Sequence, residues 1–126
     1  MQTSYMTKIL LIDDDPDIRT VLSAVLQKNG YEVETACRKE EALEKLAISR
    51  PSLILLDVLL SGADGRQLCR EIKAGDHTRD IPVIMVSGHP GAATQYESYG
   101  ADDFIAKPFQ TEVLLNKVTQ QMKVVK

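Results

Sequence analysis

Four short apolar runs in this chain each end in a polar side chain that could do chemistry. Leu53-Ile54-Leu55-Leu56 ends in Asp57, and Ile9-Leu10-Leu11-Ile12 runs into Asp13-Asp14-Asp15. Val83-Ile84-Met85-Val86 ends in Ser87, and Phe104-Ile105-Ala106 in Lys107. If the four runs are parallel strands of one sheet, these groups meet along one edge. Carboxylates gathered there repel: two unit charges ~5 Å apart at an effective dielectric of ~20 cost about 3 kcal/mol. Either one takes up a proton or a cation settles among them. Oxygen donors without His or Cys select Mg²⁺, Mn²⁺ or Ca²⁺ over zinc. Beside such a cation a carboxylate can attack phosphorus and form an aspartyl phosphate. Lys107 offers a point charge to a phosphoryl oxygen, and Ser87 offers a hydroxyl donor. Little more is needed, because phosphoryl transfer depends mainly on positioning and charge. The plainer role for acids at such positions is to cap a helix, and Asp15 suits it. Capping does not call for Asp13 and Asp14, which abut the strand. Ser87 before Gly88 also suits a simple turn.

The elements that must position these groups alternate along the chain. Strand-like segments are read at Lys8–Ile12, Tyr31–Ala36, Leu53–Leu56, Pro82–Val86 and Asp103–Ala106. The third and fourth are apolar on both faces and belong at the centre of a sheet. The second mixes Val33 and Thr35 with charges and belongs at an edge. Between them lie stretches of helical period. Ile18, Val21, Leu22, Val25 and Leu26 make an i, i+3, i+4, i+7, i+8 stripe, with Pro16 in the first turn and Asn29-Gly30 at the end. Ala42, Leu43, Leu46 and Ala47 mark a second helix, which stops before Pro51. Leu68, Cys69 and Ile72 mark a third, starting near Asp64. A short polar fourth is expected between Ala92 and Tyr99, and a fifth from Thr111 with Val113, Leu114, Leu115 and Val118. Such alternation implies a parallel sheet covered by helices on both faces. Ligands of these sheets bind beyond the carboxyl ends of the strands, where the polar groups above fall.

Bulk properties narrow the class. The 126 residues suit one domain, 1–126, with its core at about 8–123. Hydrophobic residues are 44% and charged residues 26% of the chain, as in a soluble globular protein. The net charge of −3, with both signs interspersed, shows no basic stripe for nucleic acid. No apolar run is long enough to span a bilayer, and Met1–Met6 has no apolar signal region, so a cytoplasmic location is expected. Cys37 and Cys69 fall in no metal or redox spacing and are expected to be reduced, buried thiols.

These residues, in this order, resemble the receiver domain of two-component response regulators. The resemblance runs from about Lys8 to Lys123. It is carried by Ile9 to Asp15, Leu53 to Asp57, Asp64-Gly65, Ile81 to Ile84, and Gly100 to Phe109. It implies a flavodoxin-like (βα)5 doubly wound sandwich whose five-stranded parallel sheet has the order 2-1-3-4-5. Asp57 would accept a phosphoryl group from a sensor histidine kinase or a histidine phosphotransfer protein. Asp13, Asp14, Asp57 and the Leu59 backbone carbonyl would hold Mg²⁺, with Mn²⁺ as a substitute. Ser87 would be the switch hydroxyl, Phe104 the switch aromatic, and Lys107 the phosphate-binding lysine, followed by a cis bond to Pro108. The output surface would comprise the fourth helix, fifth strand and fifth helix, and would dock a downstream target. The chain would be a monomer or a phosphorylation-dependent dimer. Leu59 and His89, two residues after Asp57 and Ser87, would flank the hydrolytic water and set the phosphoryl lifetime. Ile18, Arg19, Leu22 and Ser23 are candidates for kinase recognition, with core packing as the alternative for the apolar pair. His77 reads as an exposed loop residue.

Three features depart from the common pattern. Ser61 stands where the family often has proline, and the Ser87-to-Lys107 interval is shorter than usual. Val113 stands where an acid is common in DNA-binding members. Other classes fit less well. An aspartyl-nucleophile phosphatase typically has a second acid at the position of Leu59. A flavin-binding protein would want Ser, Thr and Gly where Asp13-Asp14-Asp15-Pro16 stands. A receiver that only docks, without phosphorylation, need not keep the full acidic set. The expected function is that of a switch rather than a metabolic enzyme, one that promotes its own phosphorylation and dephosphorylation. It could act alone, within a phosphorelay, or as part of a longer protein.

Overall fold

A computed structural model describes residues 7–60, 62–88 and 95–123. Its chain order is β1 (Lys8–Ile12), α1 (Pro16–Lys28), β2 (Glu32–Ala36), α2 (Lys39–Ile48) and β3 (Leu53–Asp57). Two short strands follow, β4 (Leu59–Leu60) and β5 (Ala63–Asp64), and then α3 (Gly65–Ala74) and β6 (Val83–Ser87). A 3-10 turn (Tyr96–Tyr99), β7 (Asp103–Ala106) and α4 (Thr111–Lys123) complete it. The main sheet has the order β2-β1-β3-β6-β7, parallel throughout. With the β4–β5 ladder set aside, that is the expected 2-1-3-4-5 order of a flavodoxin-like sandwich.

Period-2 alternation divides the core between two layers. Leu10, Ile12, Ile54, Leu56, Val83 and Met85 pack with Ala42 of α2 and with Leu68, Cys69 and Ile72 of α3. Ile9, Leu11, Leu53, Leu55, Ile84 and Val86 pack with Leu22 and Leu26 of α1 and with Leu114 and Val118 of α4. β3 and β6 are buried along their whole length, whereas β2, the edge strand, is buried only at Ala36. Asp15 caps α1, accepting the Asp17 amide at 2.9 Å, and Pro16 occupies the first helical position. Asp64 caps α3 in the same way.

Several expectations need correction. Val21 is 59% exposed, because Leu22 and Leu26 already fill the seam beneath α1. Ser87 is the last residue of β6, paired with Ala106, so that strand runs one residue beyond its expected end at Val86. Cys69 is buried, but Cys37 is only partly so, because it lies just beyond the edge strand. Within the fourth helix expected between Ala92 and Tyr99, Gln95 is helical and Tyr96–Tyr99 form a 3-10 turn. Its two tyrosines stand at i and i+3, which eclipse in a 3-10 helix, and Gly100 stops it at φ +88°. The earlier part of that segment, including Ala92, lies outside the described residues, as does Ser61.

Candidate functional site

The carboxyl ends of β1, β3, β6 and β7 lie side by side, and their register aligns the polar groups. Asp57 sits across from Val86, one residue before Ser87, and Ser87 pairs with Ala106, one residue before Lys107. Asp13 follows β1, its amide donating to the Ala36 carbonyl at 3.0 Å. Asp13, Asp57 and Ser87 are the buried polar residues among those described, at 2%, 8% and 2% exposure.

Three carboxylates converge here. Asp13, Asp14 and Asp57 each offer an oxygen, and these oxygens lie within 4.8 Å of one another. Lys107 Nζ stands 3.3 Å from Asp13 Oδ2 and 3.7 Å from Asp57 Oδ2. The ammonium thus faces two of the three acids, whose oxygens crowd within the reach of one divalent cation. Burial first, and then the Asp13 charge, push the Asp57 pKa up to about 6, against the opposing pull of Lys107 and the Leu59 amide. The donor set is all oxygen, compact and acidic, so it fits Mg²⁺ and excludes a thiophilic metal.

The backbone around the acids is firmly held. Asp13 Oδ1 accepts the Asp15 amide at 2.9 Å, and the Asp13 carbonyl accepts Arg19 Nη1 at 2.7 Å. Asp57 Oδ1 accepts the Leu59 amide at 3.3 Å. Gly65 closes the loop from the other side, donating to the Val58 carbonyl at 2.7 Å. A Cβ on Gly65 would lie 2.1 Å from the Asp57 carbonyl oxygen, so only glycine fits. Lys107 is held by its amide, which donates to the Ser87 carbonyl at 2.9 Å, and by a cis bond to Pro108.

Of the residues singled out from sequence, Asp13, Asp14, Asp57, Ser87 and Lys107 come together at this edge. Phe104 lies away from it, half-buried and stacked on Tyr96 with ring centroids 6.2 Å apart. Leu59 borders Asp57 and is 59% exposed. His89 lies outside the described residues, and His77 is exposed as expected. Among the kinase-recognition candidates, Leu22 is a core residue at 6% exposure, while Ile18, Arg19 and Ser23 are half-buried. Sequence reasoning did not foresee the Arg19 bond to Asp13, because a long side chain reaching a backbone carbonyl leaves no spacing signal. The Asp64-Gly65 pair did carry a signal, but its steric reason emerges only from the close approach of the Asp57 carbonyl.

A doubly wound parallel sheet that gathers three carboxylates, a lysine and a serine at its carboxyl edge defines a phosphoryl-accepting switch. Comparison with known proteins gives the family. The model described as the response regulator receiver domain matches residues 9–119, and the chain belongs to that family. Members accept a phosphoryl group on aspartate in two-component signalling and bind Mg²⁺ at an acidic pocket. The transcriptional regulatory protein AfsQ1 of Streptomyces coelicolor is 41% identical over 112 residues, which span 86% of this chain and 48% of that protein. The chain thus corresponds to about half the length of that relative. The crystal structure of the receiver domain of NtrX from Brucella abortus is 35% identical with a TM-score of 0.87, covering 93% of this chain and 99% of that one. TrrA from Thermotoga maritima, crystallised with Mg²⁺ and beryllofluoride, is 33% identical with a TM-score of 0.84, covering 92% and 99%. Among the described residues, no helix is long and apolar enough to cross a membrane.

Proposed function

We propose that this chain is a single receiver unit in which Asp57 accepts a phosphoryl group from a histidine kinase or a histidine phosphotransfer protein. The observation that carries the reading is the Asp13–Asp14–Asp57 cluster, buried at Asp13 and Asp57, with Lys107 beside those two members. Asp13, Asp14, Asp57 and the Leu59 carbonyl would hold Mg²⁺, with Mn²⁺ able to substitute. When bound, the metal supplies positive charge that offsets the crowded carboxylates and the incoming phosphoryl oxygens. An Asp57 oxygen attacks phosphorus in line with the departing group. The P–N bond of the phosphohistidine breaks, and the imidazole leaves with the bonding pair and takes up a proton. Lys107 receives one phosphoryl oxygen and the Ser87 hydroxyl another. Ser87 and Phe104 then carry the change to the output surface, made by the 3-10 turn, β7 and α4. Later attack by water on phosphorus restores the Asp57 carboxylate and releases inorganic phosphate. Leu59 and His89 flank the path of that water.

The chain catalyses these steps on itself and is no metabolic enzyme. Its residues are proposed to work in the cytoplasm, as a monomer or a phosphorylation-dependent dimer. They are proposed to dock a protein target without touching nucleic acid directly, in keeping with the net charge of −3. The name of AfsQ1 concerns a protein about twice as long. Intact mass after incubation with Mg²⁺ and acetyl phosphate or phosphoramidate tests the reading. One added phosphoryl group, about 80 Da by its composition, is expected in the wild type and none in Asp57→Ala. Equal phosphorylation of the variant would rule out Asp57 as the acceptor.

A further inference from the structure

The loop that carries Asp57 is tied to the 3-10 turn by contacts outside the acidic cluster. Leu59 is the first link: its amide meets Asp57 Oδ1, and it pairs with Asp64 across the β4–β5 ladder. Asp64 is the second. It accepts the Arg66 amide at 2.8 Å and also receives the Arg66 guanidinium as a fork, with Nε at 2.9 Å and Nη2 at 2.8 Å. A fork fixes the orientation of both groups, which a single ammonium contact does not. The same guanidinium lies 5.9 Å from the centroid of the Tyr99 ring, and the Tyr99 hydroxyl donates to Gln95 Oε1 at 2.8 Å. Tyr99 is buried, so its ring position defines the turn, while Tyr96 on the same turn stacks on Phe104. The turn is therefore held at two aromatic points, one toward β7 and one toward α3.

We propose that Arg66 is a positioning residue that couples the Asp57 loop to the 95–99 turn through Asp64 and Tyr99, so that occupancy of the acidic cluster and the conformation of the turn bias each other. The proposal rests on the reading of Asp13, Asp14 and Asp57 as the metal and phosphoryl site. It adds a route along α3 to the one through Ser87 and Phe104. An Asp64–Arg66 pair this exposed contributes little to stability on its own, with side chains 41% and 36% accessible. Its effect is expected instead in the linkage between the two regions, which must be reciprocal. Arg70 is the built-in control. Its guanidinium lies nearer the Tyr99 ring, at 4.9 Å, and acts on Asp64 through charge alone, with no hydrogen bond to it among the described residues.

Backbone amide spectra of the full chain during titration with Mg²⁺ alone test this. In the wild type, the signals of Asp13, Asp14 and Asp57 and those of Tyr96 to Gly100 should move together with one apparent Kd. In Arg66→Ala the first set should still move, the second should lose at least half of its displacement, and the Kd should weaken by about threefold to fivefold. Arg66→Lys, which keeps the charge and loses the fork, should behave like Arg66→Ala. Arg70→Ala should behave like the wild type. An undiminished turn response with unchanged Kd in Arg66→Ala, full restoration by lysine, or an equal loss in Arg70→Ala would each overturn the coupling. Absence of any Mg²⁺ response at Asp13, Asp14 and Asp57 in the wild type would overturn the metal reading, and the coupling with it.

Discussion

The two ends of the parallel sheet treat charge in opposite ways. Before β6 begins, Lys73 Nζ donates to the Ile81 carbonyl and to Asp102 Oδ2, both at 2.8 Å, and the same Asp102 oxygen accepts the Val83 amide at 2.8 Å. Each charge there has an opposite partner, and the assembly stitches α3 to the start of β6 and β7. At the carboxyl end, three carboxylates crowd together with Lys107 beside two of them, and Asp57 is pushed up to about 6. The first arrangement is what stability alone selects. The second is expected to destabilise the metal-free fold, and it lies at the end of the sheet proposed to take a cation and a phosphoryl group.

The largest effect should come from packing at the acidic end, where the backbone has no slack. Gly65→Ala should destabilise the fold by about 3 kcal/mol or more, because a Cβ 2.1 Å from the Asp57 carbonyl forces the loop to move. Urea denaturation would measure the loss, and Mg²⁺ should restore little of it. A small loss would mean that this edge is softer than the comparison requires.

Charge relief comes next and has the opposite sign. In metal-free buffer at neutral pH, Asp57→Asn should stabilise the protein by about 3 kcal/mol at most, the equivalent of a carboxyl near 6 against 3.8 in the unfolded chain. Because the folded-state pKa is the higher one, the folded form binds the proton more tightly. The penalty is therefore absent below about pH 4, grows as pH rises to about 6, and is constant above. The stability gap between variant and wild type should open across that window. A gap independent of pH would mean that Asp57 carries no such penalty.

How much of this was legible in the sequence differs between the two ends. The acidic end could be read because its groups terminate apolar runs, and a parallel sheet brings such termini together whatever the loops do. β3 and β6 were recognisable as central from their unbroken apolar character, and β2 as an edge from its charges. The Lys73–Asp102 junction was not legible. Its partners lie 29 residues apart and meet only because α3 packs beside the 3-10 turn that leads into β7. The β4–β5 ladder also escaped notice, because two-residue strands carry no periodicity. The weak polar stretch that suggests a fourth helix is described only from Gln95, which is helical, and its tyrosine spacing at Tyr96 and Tyr99 suits the tighter turn that follows. Val21 was misjudged because a stripe on paper is wider than the seam that receives it.

Two smaller effects sharpen the comparison. Lys73→Met should destabilise by about 1 kcal/mol, since it takes the ammonium from the exposed Asp102 carboxylate and Arg79 carbonyl and from the part-buried Ile81 carbonyl. It should leave Mg²⁺ affinity unchanged by calorimetric titration, because the matched end of the sheet has no part in the chemistry. The smallest effect is kinetic. Leu59→Asn, at an exposed position beside Asp57, should speed the decay of the phosphorylated protein by a few-fold, well under the tenfold that about 1.4 kcal/mol represents. Time-resolved intact mass would follow it, and an unchanged rate would remove Leu59 from the water path.

The most direct test of the contrast is one set of urea denaturation curves at neutral pH, for wild type and Asp57→Asn, each with and without Mg²⁺. Unrelieved repulsion at the carboxyl edge predicts that the variant is the more stable protein without metal, that Mg²⁺ stabilises the wild type strongly, and that it stabilises the variant weakly. Wild type and variant of equal stability without metal, or an equal gain from Mg²⁺ in both, would contradict the account.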